Sequence, residues 1–210
     1  KDMMIIGITG GVGAGKSSVL QYMEENYRCL VVLADDIGNR VKLPGEICYN
    51  RLVELLGRDI LDSNGYIDKV RMAEAIFSDK ELLTKVNAII HPAVKDCILA
   101  EIQKAKEEEK CDFFFIEAAL LIECGYATHV DELWYIHASD EVRRKRLKDS
   151  RGYSDEKISA IMNGQLKEIE FRKNCQVVID NSGDLEETKK QIDKLLGDRL
   201  WKVQENFQDN

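Results

Sequence analysis

Short, uninterrupted apolar runs alternate along this chain with longer segments whose apolar positions recur at helical spacing. Five runs predict strands: MMIIGIT (3–9), CLVVLA (29–34), FFFIEAALLI (113–122, above all its first half), LWYIHA (133–138) and VVID (177–180). A run apolar throughout, rather than at every second position, suits a parallel strand covered on both faces. Helices are predicted over 16–26, 46–57, 69–77, 79–88, 92–109, 139–149, 154–173 and 184–202. Strands separated by helices imply an α/β fold built on a doubly wound parallel sheet. Residues 37–110 carry few strand signals and many helical ones, so they read as a helical domain inserted between the second and third strands. Within it, LDSNGYID (61–68) predicts a short loop or hairpin.

Composition narrows the class. A formal net charge of −8 over 210 residues leaves no broad basic footprint for nucleic acid, although a local basic pocket for phosphates remains compatible with it. The six cysteines, Cys29, Cys48, Cys97, Cys111, Cys124 and Cys175, lie far apart without CxxC spacing, and a reduced, cytoplasmic setting accounts for them. His91, His129 and His137 show no ligand spacing with those cysteines, so a structural zinc site is not expected. No apolar run approaches the roughly 20 residues that span a bilayer, and the opening KDMM has no long apolar stretch of the kind an export signal carries. The expected protein therefore has neither a membrane nor a nucleic-acid partner, and a monomer is its expected state.

Residues 10–17, GGVGAGKS, fit GxxxxGK[ST] between a strand-like and a helix-like run, the context that phosphate-binding motif requires. Glycines let backbone N–H groups converge on phosphate oxygens, and the helix beginning near Lys16 turns its positive end toward the same place. Gly11, Gly13, Ala14, Gly15, Lys16, Ser17 and Ser18 are thus the candidate ATP cradle. Lys16 is placed for the β- and γ-phosphates and Ser17 for Mg²⁺. A tight turn with incidental glycines is the bland alternative, and pattern plus context weigh against it. No NKxD-like guanine signature occurs.

Two further features carry candidate chemistry. Asp35 and Asp36 fall at the end of the second strand, the edge where open α/β sheets bind ligands. A carboxylate there can take a proton from an attacking hydroxyl or hold Mg²⁺ through water, or it can simply cap the next helix. The run EVRRKRLKDSRGYS (141–154) gathers Arg143, Arg144, Lys145, Arg146, Lys148 and Arg151 in an acidic chain. Arg143 and Arg146 share a helical face, and guanidinium forks suit phosphate oxygens. A solvated charged helix is the competing account for each residue alone.

Taken in order, GITGGVGAGKSS, LADDIGNRV…PG, GYIDK, IIHPAV, EAALLIECG and VIDNSG resemble the dephospho-CoA kinases over nearly the whole chain. The resemblance implies a P-loop NTPase-type sheet with an inserted acceptor domain (37–110), a lid over 139–173 and a nucleotide-binding core of 1–36, 111–138 and 174–210. It also implies transfer of the ATP γ-phosphate to the 3′-hydroxyl of dephospho-CoA, in the last step of coenzyme A synthesis. On its motifs Asp35 matches the proposed general base, and Arg40, Lys69, His91 and Glu123 fall at acceptor positions. His91 equally suits a packed helix start. Glu117 sits where a carboxylate would hold Mg²⁺ through water. Arg146 matches the arginine before the lid, Gln165 and Arg172 match the following helix, and Asn181 and Gly183 match a loop near adenine. The chain departs from the family pattern at Leu33, at Ala119, at Lys69 (usually arginine), at Arg143 (usually glutamine) and over 149–152, where the lid arginine becomes Arg151 or is missing. Two other readings stay open here: a divergent P-loop kinase for a nucleoside, nucleotide or other small hydroxyl compound, and a nucleotide-binding regulator without transfer chemistry.

Overall fold

The structure is a computed structural model that describes residues 2–205. Its elements run β1 (Met4–Thr9), α1 (Lys16–Asn26), β2 (Cys29–Leu33), α2 (Ala34–Val41), α3 (Tyr49–Leu56), α4 (Lys69–Ile76), α5 (Lys80–Glu108), β3 (Phe113–Glu117), β4 (Glu132–His137), α6 (Asp140–Arg151), α7 (Asp155–Asn163), α8 (Glu168–Asn174), β5 (Val177–Asp180) and α9 (Leu185–Glu205). The chain divides into two compact units, Leu33–Lys104 and the remainder.

In the larger unit, five strands form one sheet in the order β2-β3-β1-β4-β5. β1 runs parallel to both β3 and β4, and β4 parallel to β5. Register places Ile8 opposite Glu117 and Thr9 opposite Tyr135, so the carboxyl ends of the three inner strands meet at one edge. The strand order reverses there, beside β1, and a crevice outside those ends is where such sheets take ligands. Ile6, Ile8, Phe113, Phe114, Phe115, Ile116 and Trp134 lie fully buried along the inner strands. Each such side chain contributes about 1.5–3 kcal/mol of burial. The uniformly apolar runs of β1, β3 and β4 thus match strands covered on both faces. β2 is different: it is an edge strand, half-exposed along its length despite its apolar sequence.

Three helical expectations need correction. α2 was hidden in the sequence by Gly38 and Asn39, both poor helix formers. It forms because Ile37 and Val41, one turn apart, are both buried, while Asp35 and Asp36 in the first turn and Arg40 in the last complement the helix dipole. Neither aspartate caps it; the cap position is Leu33. The expected break at Pro92 does not occur, since α5 runs through it. An interior proline costs about 3 kcal/mol, and here the buried face of Val86, Ile89, Ala93, Val94, Ile98 and Ile102 offsets it. The single helix expected over 154–173 is two, because α7 closes at Gly164 and α8 starts at Glu168. The expected hairpin at 61–68 is present as a bridge between Leu61 and Ile67, with Asp62 accepting from the Asn64 and Tyr66 N–H groups.

Candidate active site

The loop between β1 and α1 follows directly from its sequence. Gly15 holds φ +83°, a left-handed conformation that strains any residue with a Cβ, and a Cβ there would also collide with the Asn181 amide. The turn closes with Ala14 N–H donating to Gly11 O at 3.1 Å. α1 then begins at Lys16, with Ser17 and Ser18 exposed in its first turn. The Lys16 ammonium donates to Gly10 O at 2.7 Å and lies 4.0 Å from Glu117 Oε1 at the end of β3. Glu117, a hundred residues on, therefore shares the neighbourhood of Lys16 and the start of α1 at the carboxyl edge of the sheet.

Asn181 braces this loop from the far side. It is buried, and its Nδ2 donates to Ala14 O at 2.7 Å while its Oδ1 accepts from Thr188 Oγ1 at 2.7 Å. The Asn181 carbonyl in turn accepts from Arg146 NH2 at 2.6 Å, and Arg146 NH1 reaches Gly13 O and Ala14 O at 3.3 and 3.2 Å. Arg146 and Asn181 are thus brought together on the loop. Gly183 lies nearby in sequence, exposed, with Glu187 where its Cβ would be.

Arg143, present in the sequence only as one of a basic run and as a departure from the family glutamine, grips the crest of the loop. Its Nε donates to Val12 O at 2.8 Å and its NH2 to Gln165 Oε1 at 2.7 Å, while Gln165 Oε1 also accepts from Val12 N–H at 3.3 Å. A Cβ on Gly11 would fall onto the same guanidinium. Burial pulls the Arg143 guanidinium below its ordinary range, and Asp140, 3.7 Å away, opposes that. The rest of the basic run is spent elsewhere. Arg144 donates to Ser159, Lys145 pairs with Asp149, Lys148 pairs with Asp155, and Arg151 stands 5.8 Å over the Tyr153 ring. Arg172 pairs with Glu168, one turn away on α8. α8 itself is pinned to β4 by Phe171 stacked on Tyr135 at 4.7 Å and by His137 at 3.3 Å from Glu168.

The smaller unit carries the acceptor-side candidates. Asp35 is exposed in the first turn of α2, and its carboxylate makes no hydrogen bond or ion pair among the described residues. It feels the Lys42 ammonium, which burial pushes down, with the like charge of Lys69 adding to the effect and Asp35 opposing it. Asp35, Lys42 and Lys69 therefore form one electrostatic cluster. Arg40 is exposed at the end of α2, Lys69 opens α4 behind the Asp68 cap, and His91 is half-buried in mid-α5. Glu123 belongs instead to the larger unit, exposed in the turns after β3. Lys42 was missed because a lone lysine after a short helix carries no sequence signal. Thr188 was missed because it sits among charged residues of α9.

Among the described residues no three His, Cys, Asp or Glu side chains cluster as a metal site. One hydroxyl (Ser17) and one carboxylate (Glu117) do suit Mg²⁺, which keeps most of its waters and otherwise binds substrate phosphates. Thiol chemistry is disfavoured. Burial pushes the Cys29 and Cys175 thiols up to about 11 and raises Cys48 and Cys111 as well, so these four stay protonated near neutrality.

A profile of the dephospho-CoA kinase family matches residues 4–187. This chain belongs to the dephospho-CoA kinase family. The dephospho-CoA kinase of Carboxydothermus hydrogenoformans is 34% identical over 201 residues, covering 94% of this chain and 95% of that protein. Among solved structures, TT1252 from Thermus thermophilus superposes with a TM-score of 0.79 at 29% identity, over 94% of this chain and 98% of its own. The dephospho-CoA kinase from Campylobacter jejuni, at 21% identity, shares the fold with a TM-score of 0.69 over 92% of this chain and 95% of its own. Arg143 and Gln165 thus brace the phosphate loop of a dephospho-CoA kinase family member, and no observation favours the regulator or the divergent-acceptor readings.

Proposed function

We propose that this chain transfers the γ-phosphate of ATP to the 3′-hydroxyl of dephospho-CoA, giving ADP and coenzyme A. The observation that carries the proposal is the braced phosphate loop, with Lys16 beside Glu117, in a chain that matches the family from residue 4 to 187.

Loop N–H groups and the start of α1 receive the nucleotide phosphates, and Lys16 exchanges the Gly10 carbonyl for β- and γ-phosphate oxygens. Asp35 takes the proton of the 3′-hydroxyl. That oxygen bonds to the γ-phosphorus as the bond from phosphorus to the β–γ bridging oxygen breaks and ADP leaves. Lys16 offsets the charge that gathers on the transferring group, and Arg146 lends positive charge along Gly13 and Ala14. Asn181 acts through the loop rather than by touching the transferring group, since both ends of its amide are engaged. Ser17 directly and Glu117 through water would hold Mg²⁺, which supplies charge neutralisation at the phosphates when bound. Arg40, Lys69, His91 and Glu123 are assigned to the acceptor, Gly183 to the nucleotide, and 139–173 to a lid that excludes water. The same proposal has the protein work as a monomer in the cytoplasm.

The test is ADP release with MgATP and, separately, dephospho-CoA, adenosine or CMP. Release that depends on dephospho-CoA supports the proposal, and release that depends only on another acceptor overturns it.

Arg143 gives a second prediction. Arg143→Ala removes one charge-assisted contact to the loop crest at Val12 and one to the Gln165 side chain that also holds it, each worth about 1.5 kcal/mol or more. The KM for ATP should rise about tenfold or more, with the KM for dephospho-CoA unchanged. Steady-state kinetics with each substrate varied in turn checks this, and equal rises in both constants would contradict it.

A further inference from the structure

One helix of the smaller unit shows water an apolar face that ordinary surface composition does not explain. Phe77, at the carboxyl end of α4, is 90% exposed, and Val70, near its start, is 64% exposed. With Ala73 and Glu74 they line a groove of about 460 Å³, and Lys69 stands at its head. Val70, Ala73 and Phe77 are spaced three and four apart, so they make one stripe about 10 Å long on the helix surface. A second ammonium, Lys42, lies within electrostatic reach of Lys69. The order along the helix is therefore one cation, with Lys42 of the α2 end within its reach, then an apolar stripe interrupted by one carboxylate.

We propose that this face of α4 seats the pantetheine arm of the acceptor, with Lys69 and Lys42 holding the diphosphate from which that arm extends. The inference rests on dephospho-CoA being the acceptor. Its match to the molecule is chemical and ordered. A diphosphate carries two negative charges or more, which two neighbouring ammonium groups complement. The arm that follows is a chain of methylenes with a geminal dimethyl group, which gains by leaving water against Val70, Ala73 and Phe77. Its hydroxyl and amide N–H groups are donors, and the Glu74 carboxylate is an acceptor on the same wall. The groove falls within the size range of small-molecule sites, about 300–1,000 Å³. The cations also relieve each other's repulsion when an anion binds between them.

The test uses the whole chain and three compounds: dephospho-CoA as substrate, and 4′-phosphopantetheine and ADP-ribose as inhibitors competing with it. The first carries the arm without the adenosine, and the second carries the adenosine diphosphate without the arm. In Phe77→Ala the KM for dephospho-CoA should rise about tenfold with kcat nearly unchanged. Inhibition by 4′-phosphopantetheine should weaken in parallel, while ADP-ribose inhibits as before. Lys69→Ala should weaken all three. Phe77 is almost wholly exposed, so its loss should leave the melting temperature where it was. An unchanged KM in Phe77→Ala, an equal loss for both inhibitors, or failure of 4′-phosphopantetheine to compete with the parent chain would overturn the proposal. A parent chain that does not turn over dephospho-CoA would instead defeat the functional reading on which it rests.

Discussion

Asp35→Asn should bind ATP as the parent chain does and transfer phosphate about a thousandfold more slowly, within the range of about 10²–10⁴ typical of a lost general base. The amide keeps the size and shape of the side chain but cannot take a proton from a hydroxyl. The substitution costs the fold little, because the Asp35 carboxylate is exposed and makes no hydrogen bond or ion pair among the described residues. Its influence on Lys42 and its favourable place at the positive end of α2 are the electrostatic ties that change. Asp36 is the internal control. It shares the first turn of α2 and is also exposed, but consecutive helical residues point about 100° apart. Asp36→Asn should retain most of the turnover. Single-turnover rates together with ATP titration separate binding from transfer, and near-parent rates in Asp35→Asn would remove Asp35 from its role.

Lys16→Ala should lose transfer by about 10²–10³ and weaken ATP binding as well. The ammonium now donates to Gly10 O and stands 4.0 Å from Glu117, inside a loop of fixed backbone conformation. The two guanidinium groups that reach the loop are engaged elsewhere. Arg146 is committed to Gly13, Ala14 and Asn181 carbonyls, and Arg143 to Val12 and Gln165. Glu117 loses an opposite charge in the variant, which raises local negative potential where the phosphates arrive. The expected pattern is therefore a fall in kcat with a rise in KM for ATP, and an unchanged circular dichroism spectrum. Transfer within a few-fold of the parent would mean that the loop contributes through its backbone alone.

The fold was legible where one physical cause dominates. Buried parallel strands read as continuous apolar runs, and β1, β4 and β5 appeared within a residue or two of their observed ends, while β3 fills only the first half of the run expected over 113–122. β2 was found for the same reason, although its position at the sheet edge leaves it half-exposed, a fact of strand order that composition does not encode. Local rules failed where tertiary packing outweighs them. Gly38 and Asn39 argue against α2, and Pro92 against an unbroken α5, yet buried Ile37, Val41, Ala93 and Val94 hold both helices. The phosphate loop was fully visible, since its glycines are dictated by backbone geometry. Its braces were only partly so. Asn181 and Gln165 emerged from a motif match, but their hydrogen bonds to Ala14 and Val12 join residues more than 150 positions apart. Thr188 has no local signature at all, because its role is to satisfy Asn181 Oδ1. Phe77 and Val70 read as ordinary apolar positions of a helix, and only their exposure sets them apart.

The most direct test of the central claim is to follow the label from γ-³²P ATP with Mg²⁺ and dephospho-CoA, and to determine which product carries it. Label in coenzyme A, on the 3′-oxygen and in equal amount to the ADP formed, is the predicted result. Label found only in inorganic phosphate, or left in ATP while the protein is saturated with both substrates, would contradict it.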